Sequence, residues 1–258
     1  MTNFLLLLKK DLWESWSSSK IAVTLTIFAL ISIGAPFLQY QNIISAGGIT
    51  SGALTSSELL FEFYYTYVGI LLVVLIPFLV MGVVAGEIKN NTAASLLVKP
   101  IGRAGYILSK FIVYFLLFGL AVTIAILLSA VYANTLAFEP IGFDVILAVL
   151  GGILVFVAFA VALLLFLSTI IRNQIVAGAI GLSTLVVLFV TGRLLQPLFA
   201  LMPGKILAWA AEKVQLAMYP PDLIEAAHSP VLSAVAVSIV LTAVFVLVSI
   251  WTIKRKEL

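Results

Sequence analysis

Few side chains in this sequence could perform covalent or acid–base chemistry, and those few are scattered. The chain has no cysteine, and its only histidine is His228. Ser168 and Ser183 lie in apolar stretches without a histidine or aspartate nearby, so we expect packing hydroxyls rather than nucleophiles. Catalysis needs titratable groups held within hydrogen-bond reach of one another. The sequence therefore predicts no catalytic residue, no metal site and no bound cofactor, and hence no enzyme.

Charged residues concentrate instead in one short interval, between two apolar stretches that carry no charge. They are Glu87, Lys89, Lys99, Arg103 and Lys110. Asn91 or Thr92 can cap a short helix, and Pro100 ends it. Leu96 and Leu97 on that helix require an apolar surface, either lipid or a partner protein. A plain basic connecting loop is the alternative interpretation.

The composition sets the surroundings of this interval. The chain has 258 residues, of which 63% are hydrophobic and only 10% charged, whereas soluble domains are about a quarter charged. A membrane-spanning helix needs roughly 20 apolar residues, and six segments without a charge qualify. They are Ile21–Tyr40, Tyr64–Gly86, Phe111–Tyr132, Val145–Ile171, Ile175–Gly192 and Val231–Thr252. Residues 1–258 are therefore predicted to form one all-α, polytopic membrane domain, in which Pro77 and the Gly151–Gly152 pair could kink their helices.

Lysine and arginine are distributed unequally between the connections of these six segments. Eleven lie on the side that holds both termini, and three, Arg193, Lys205 and Lys213, lie on the other. The positive-inside rule then places both termini in the cytoplasm of a multi-pass cytoplasmic-membrane protein. The net charge of +3 reflects topology, so nucleic-acid binding is not expected.

Two amphipathic regions flank the predicted bundle. Residues 3–19 predict an elbow helix lying in the lipid interface, with Leu5, Leu12 and Trp16 near one face and Asp11 on the opposite, polar side that Leu7 interrupts. Residues 193–229 form a long outer connection that prolines cut into pieces, predicted to be a broken helical element capping the bundle.

The charged interval with its flanks, "GEIKNNTAASLLVKPIGRAGYILSKF", resembles the signature of the ABC-2-type ABC transporter permeases. That signature has the form G-E-x-x-x-G-T-x-x-x-L-L-x-x-P-[IV]-[ST]-R followed by G-K. Three positions depart from it, namely Asn91, Gly102 and Ser109. The matching residues are Gly86, Glu87, Thr92, Leu96, Leu97, Pro100, Ile101, Arg103 and Lys110.

This resemblance implies a type V exporter-like fold and a permease subunit that exports a substrate across the cytoplasmic membrane. The chain is similar to the permease of the nitrous-oxide-reductase maturation system and to permeases for peptide export or bacteriocin immunity. Two copies of a separate ATPase subunit would hold the ATP and magnesium, and a second permease copy or a paralogue would complete the pathway. The alternative is a non-transporting membrane subunit that relays ATPase motion to an extracytoplasmic partner.

Two groups of residues follow from this interpretation, beside contacts with membrane lipid. Coupling to the ATPase is assigned to the segment 87–103 together with the start of the third span. An outer gate within residues 193–229 would close the exit. The coupling residues are Glu87, Thr92, Leu96, Leu97, Pro100, Arg103 and Lys110, and the gate residues are Pro203, Trp209, Tyr219 and Pro220.

Overall fold

The fold is known from a computed structural model. It describes residues 2–17, 19–45, 55–89, 102–137, 139–171, 173–194, 201–217 and 231–255.

Helices make up nearly all of this part of the chain. Regular strands do not occur within it, and a single bridge joins Thr55 to Glu139. The helices in chain order are α1 (Thr2–Ser17), α2 (Ser19–Ser45), α3 (Ser56–Glu62), a π-helical segment (Phe63–Val68), α4 (Gly69–Val80), α5 (Ala85–Lys89), α6 (Arg103–Leu136), α7 (Phe143–Ile170), α8 (Gln174–Leu194), α9 (Gly204–Leu216) and α10 (Val231–Arg255).

Six of the described helical stretches are long and apolar enough to cross a membrane: α2, the composite α3–α5, α6, α7, α8 and α10. This confirms the predicted all-α fold with six candidate spans and indicates a multi-pass membrane protein. The third span begins at Arg103 rather than Phe111. Gly102 is extended there and starts the helix, so Lys110 lies two turns inside α6.

The second span is interrupted. Thr55 and Glu58 start α3 as a reciprocal capping box, in which each side chain accepts a hydrogen bond from the other residue's backbone N–H. The helix then passes through the π-helical segment and α4, and it breaks at residues 81–84 before α5. The break comes one turn after Pro77, whose ring removes a helical N–H donor.

α7 lies at the centre of the bundle, where it packs against α6, α8, α9 and α10. It runs unbroken through Gly151 and Gly152, and Phe156, Ala160 and Leu164 on it are buried. The peripheral helices α2, α8 and α10 turn large apolar side chains outward, as expected of surfaces in lipid.

The bundle has two distinguishable ends. At the terminal end, the start of α6 contacts α1, α5 and the end of α10. At the distal end, the backbone N–H of Ser56 donates to the carbonyl of Glu139 at 2.9 Å, and α9 packs against α3, α7 and α8.

Candidate functional site

The terminal end holds a buried group of polar side chains, which we call the charge cluster: Asp11, Glu87, Tyr106, Ser109 and Lys110. The side chain of Lys110 is 6% exposed, and its Nζ lies 2.6 Å from Oε1 of Glu87 and 3.5 Å from Oδ1 of Asp11. The Ser109 hydroxyl donates to Oδ2 of Asp11 at 2.7 Å, and the Tyr106 hydroxyl donates to Oε2 of Glu87. One ammonium group therefore joins α1, α5 and α6.

Helical spacing explains how α6 presents its part of the cluster. Tyr106, Ser109 and Lys110 stand at positions i, i+3 and i+4, which share one face of a helix. All three are buried. The early start of α6 at Arg103 is what brings this face into the bundle wall.

α1 contributes Asp11 from the side that the sequence pattern marks as polar. Asp11 and Leu7, one turn apart, are the inward residues, while Leu5, Leu12 and Trp16 are exposed. The predicted apolar face thus turns away from the bundle, toward the surroundings. Leu7, the residue that interrupts the polar side, was the signal that this side packs against protein.

The electrostatics of the cluster depend on Lys110. The Lys110 ammonium and the Asp11 carboxylate are buried, whereas the Glu87 side chain is 18% exposed. Removing a charged group from water costs several kcal/mol, to within about a factor of two, and a nearby opposite charge offsets this cost. The hydroxyls of Ser109 and Tyr106 supply further hydrogen bonds to the carboxylate oxygens. Without Lys110, the carboxylates of Asp11 and Glu87 would both lose the cation that they share.

Arg103 connects the start of α6 to the end of α10. One terminal nitrogen, Nη1, donates to the carbonyl of Lys254 at 2.6 Å and to that of Ile253 at 3.3 Å. Carbonyls in the last turn of a helix lack intrahelical partners, and a cation there also interacts favourably with the helix dipole. Arg103 therefore caps α10.

Beside the charge cluster lies a cavity of about 500 Å³. Its walls come from α1, the break in the second span, α6 and α8, and they mix apolar with polar side chains. The polar lining includes Asp11, Glu14, Glu87, Lys110, Tyr114 and Gln174.

The structure brings together two of the predicted coupling residues and places a third, Arg103, on a different helix end. Glu87 and Lys110 form an ion pair, and Arg103 caps the neighbouring α10. Sequence reasoning did not assign Asp11, Tyr106 or Ser109 to this site. The other predicted coupling residues lie outside the described part of the chain: Thr92, Leu96, Leu97 and Pro100.

The predicted gate falls partly on α9, which is packed into the distal end. Pro203 immediately precedes this helix, and Trp209 lies against Gly152 of α7, where an added Cβ would be only 2.7 Å from the indole ring. Lys205 is buried, and its Nζ lies 3.0 Å from Oε1 of Glu212. Tyr219 and Pro220 lie outside the described residues.

Over the described residues the fold is helical, and its six long apolar helices indicate a multi-pass membrane protein. A family model described as "Protein of unknown function (DUF2705)" matches residues 21–258. The chain belongs to this family. No curated protein matches it.

Proposed function

We propose that this chain is the membrane-spanning permease subunit of an ATP-binding-cassette exporter of the ABC-2 type. The observation that carries the proposal is the ion pair between Glu87 and Lys110, whose Nζ and Oε1 are 2.6 Å apart. These residues stand near the two ends of the segment that resembles the ABC-2 signature. The pair therefore holds the two ends of this segment together. A segment that passes force from an ATPase to the helices needs ends that are fixed to each other.

The contacts of the terminal end suggest how force would spread. An ATPase docked on Leu96 and Leu97 would push on the connection between Lys89 and Gly102. Lys110 ties that connection to α1 through Asp11, and Arg103 ties it to α10. A single docking event would then act on four helices. The connection joins α5 to α6, and residues near the start of α6 bond to α1 and α10.

The assembly and its orientation follow from the same proposal. Two ATPase subunits carry the ATP and magnesium, and a second permease copy or a paralogue completes the pathway. The terminal end faces the cytoplasm, because Lys9, Lys10, Lys254 and Arg255 all belong to α1 and α10 at this end. The protein then lies in the cytoplasmic membrane with both termini inside.

The closed distal end supports a gate in α9. This helix is buried on most sides and lies against α7 and α8, so the exit would open only when these contacts change. Pro203 and Trp209 belong to this contact, and we propose the same role for Tyr219 and Pro220.

Co-purification tests the proposal. The tagged chain is co-expressed with the ABC ATPase encoded in the neighbouring reading frame, and we expect a stable complex. Burying two leucines contributes roughly 1.5–3 kcal/mol each before ordering costs. Leu96→Asp should therefore weaken ATPase binding by about two decades, at ~1.4 kcal/mol per decade. Leu201→Asp, at an exposed leucine of the distal end, is the matched control and should bind normally.

Two outcomes would contradict the proposal. If Leu96→Asp co-purifies with the ATPase and supports transport as the wild type does, the segment is only a basic connecting loop. A complex that hydrolyses ATP without moving any substrate would instead favour the mechanical subunit.

Labelling of introduced cysteines tests the orientation, since the chain has none of its own. A cysteine at Ser51 should react with an impermeant thiol reagent added outside intact cells, whereas one at Asn90 should react only after lysis. Equal reaction at both positions from one side would refute the six-span topology.

A further inference from the structure

The break in the second span is bridged by a side chain from another helix. In a continuous α-helix the N–H groups of Val84 and Ala85 would donate to carbonyls four residues earlier. Here both donate to the Ser168 hydroxyl of α7, at 3.2 and 3.0 Å. That hydroxyl in turn donates to the carbonyl of Met81 at 3.0 Å. One side chain thus satisfies three backbone groups of the break.

The full bonding capacity of Ser168 is used in this way. A serine hydroxyl has one donor and two acceptor positions, and Ser168 is completely buried. Unsatisfied backbone groups in an apolar interior cost several kcal/mol, in rough terms. The hydroxyl therefore makes an interrupted helix tolerable within the bundle.

The segments on either side of the break are held by different partners. On one side α4 packs against α8 and α7. On the other side the short α5 is held by Glu87, whose carboxylate bonds to Lys110 and Tyr106 of α6. A displacement of α6 relative to α8 would consequently be taken up at residues 81–84.

There is also room for such a displacement. Gly82 and Gly86 face Oε1 of Gln174 on α8, and an added Cβ would lie 3.0 and 3.3 Å from that atom. The cavity of about 500 Å³ borders Gly82, Gly86 and the rest of the break. Gly82 and Gly86 place no side chain toward α8, so Met81 is the residue of the break that packs against this helix, at Gly178.

We infer that residues 81–84 form a hinge held together by the Ser168 hydroxyl, about which α5 and the charge cluster turn relative to α4. A hydroxyl suits this role because its O–H can rotate about the Cβ–Oγ bond and follow its acceptor as the backbone turns. The inference concerns the isolated chain and does not depend on an ATPase.

Distances between spin labels test the hinge in the purified full chain. Two cysteines can be introduced without removing others, because the sequence has none. The hinge pair is Ile88 on α5 and Val186 on α8. The reference pair is Val74 on α4 and Ile175 on α8, both exposed, because α4 packs against α8 and does not move with α5. In the wild type we expect a broader distance distribution for the hinge pair than for the reference pair.

Variants of Ser168 separate the hydroxyl from packing. Ser168→Ala should shift the hinge-pair distance by up to about 5 Å, the pitch of one helical turn, and leave the reference pair unchanged. Ser168→Thr retains the hydroxyl and should restore the wild-type distribution. Ser238→Ala is the matched control, because Ser238 is a buried serine that bonds within its own helix.

A distribution in Ser168→Ala that coincides with wild type would overturn the inference. Should Ser168→Ala fail to fold, Gly82→Ala provides a second test, since its added methyl group fills the space beside Gln174. It should narrow the hinge-pair distribution, and an unchanged distribution there would contradict the hinge equally.

Discussion

The two ends of the bundle are held together in different ways. At the terminal end, separate helices meet through charged side chains, with Lys110 between Asp11 and Glu87 and Arg103 on the last turn of α10. At the distal end, helices approach through glycines. A Cβ on Gly204 would lie 1.8 Å from the carbonyl oxygen of Leu188, and one on Gly192 would lie 2.5 Å from the carbonyl carbon of Gly204.

This difference bears on where the bundle can deform. Long charged side chains can rearrange over several ångströms and still make their contacts, and a cavity adjoins them here. Close backbone contacts at glycine leave no such freedom, since packed interfaces switch between discrete arrangements rather than deforming continuously. We therefore expect small motions to begin at the terminal end and the distal end to resist them.

The largest effect is expected from removing the cation of the charge cluster. Lys110→Met leaves the buried carboxylate of Asp11 and the partly buried carboxylate of Glu87 without their ammonium, and it should lower the free energy of unfolding by about 3–5 kcal/mol. Thermal unfolding in detergent measures this. The control is Lys10→Met, because Lys10 forms an exposed pair with Glu14 and should cost less than about 1 kcal/mol. Equal effects of the two variants would show that the cluster is no stronger than a surface pair.

A smaller but clear effect is expected at the glycine contact. Gly204→Ala forces its methyl group against the Leu188 carbonyl, and such overpacking costs about 1–3 kcal/mol or more. Gly34→Ala is the matched control, because no atom of the described residues lies within 4 Å of its added Cβ. In the middle of α2 it should stabilise the protein by about 0.5–1 kcal/mol. If Gly204→Ala leaves the free energy of unfolding unchanged, the distal end deforms as readily as the terminal end.

The smallest effect is expected at the cap of α10. Arg103→Met removes the donor to the carbonyls of Ile253 and Lys254, which should cost about 1–2 kcal/mol by loss of the helix-dipole interaction and hydrogen bonds. Hydrogen exchange should then rise in the last turn of α10 and stay unchanged in α9. The control is Arg255→Met, which loses only a contact with the Trp251 ring of the same helix. If hydrogen exchange in the last turn of α10 rises equally in both variants, Arg103 does not cap this helix.

The spans could be predicted from sequence, and most of their contacts could not. Uncharged apolar runs identify six spans because lipid excludes charge from their middle, and this depends only on local composition. The burial of Lys110 depends on Asp11, 99 residues away, and no local pattern contains that pairing. α9 was predicted as a helix, but its burial depends on Gly152 and Gly204 leaving room for close approach.

Two other features can be seen in the sequence, but their place in the structure differs from the one that the local pattern predicts. Asp11 counts as polar in any amphipathic pattern, yet its neighbour Leu7 shows that the face is inward. Pro77 predicts a kink, while the break itself comes at residues 81–84, where Ser168 supplies the missing bonds. In both cases a contact with another helix, which no local pattern contains, determines the structure.

A double-mutant cycle on Glu87 and Lys110 tests the central claim, that this pair joins the end of the second span to the start of the third. The free energy of unfolding is measured for the wild type, Glu87→Gln, Lys110→Met and the double variant. Residues that bond directly show interaction energies of about 0.5–3 kcal/mol. We predict at least about 1 kcal/mol of interaction, with the double variant more stable than the sum of the single changes implies. Additivity within about 0.5 kcal/mol would contradict the account.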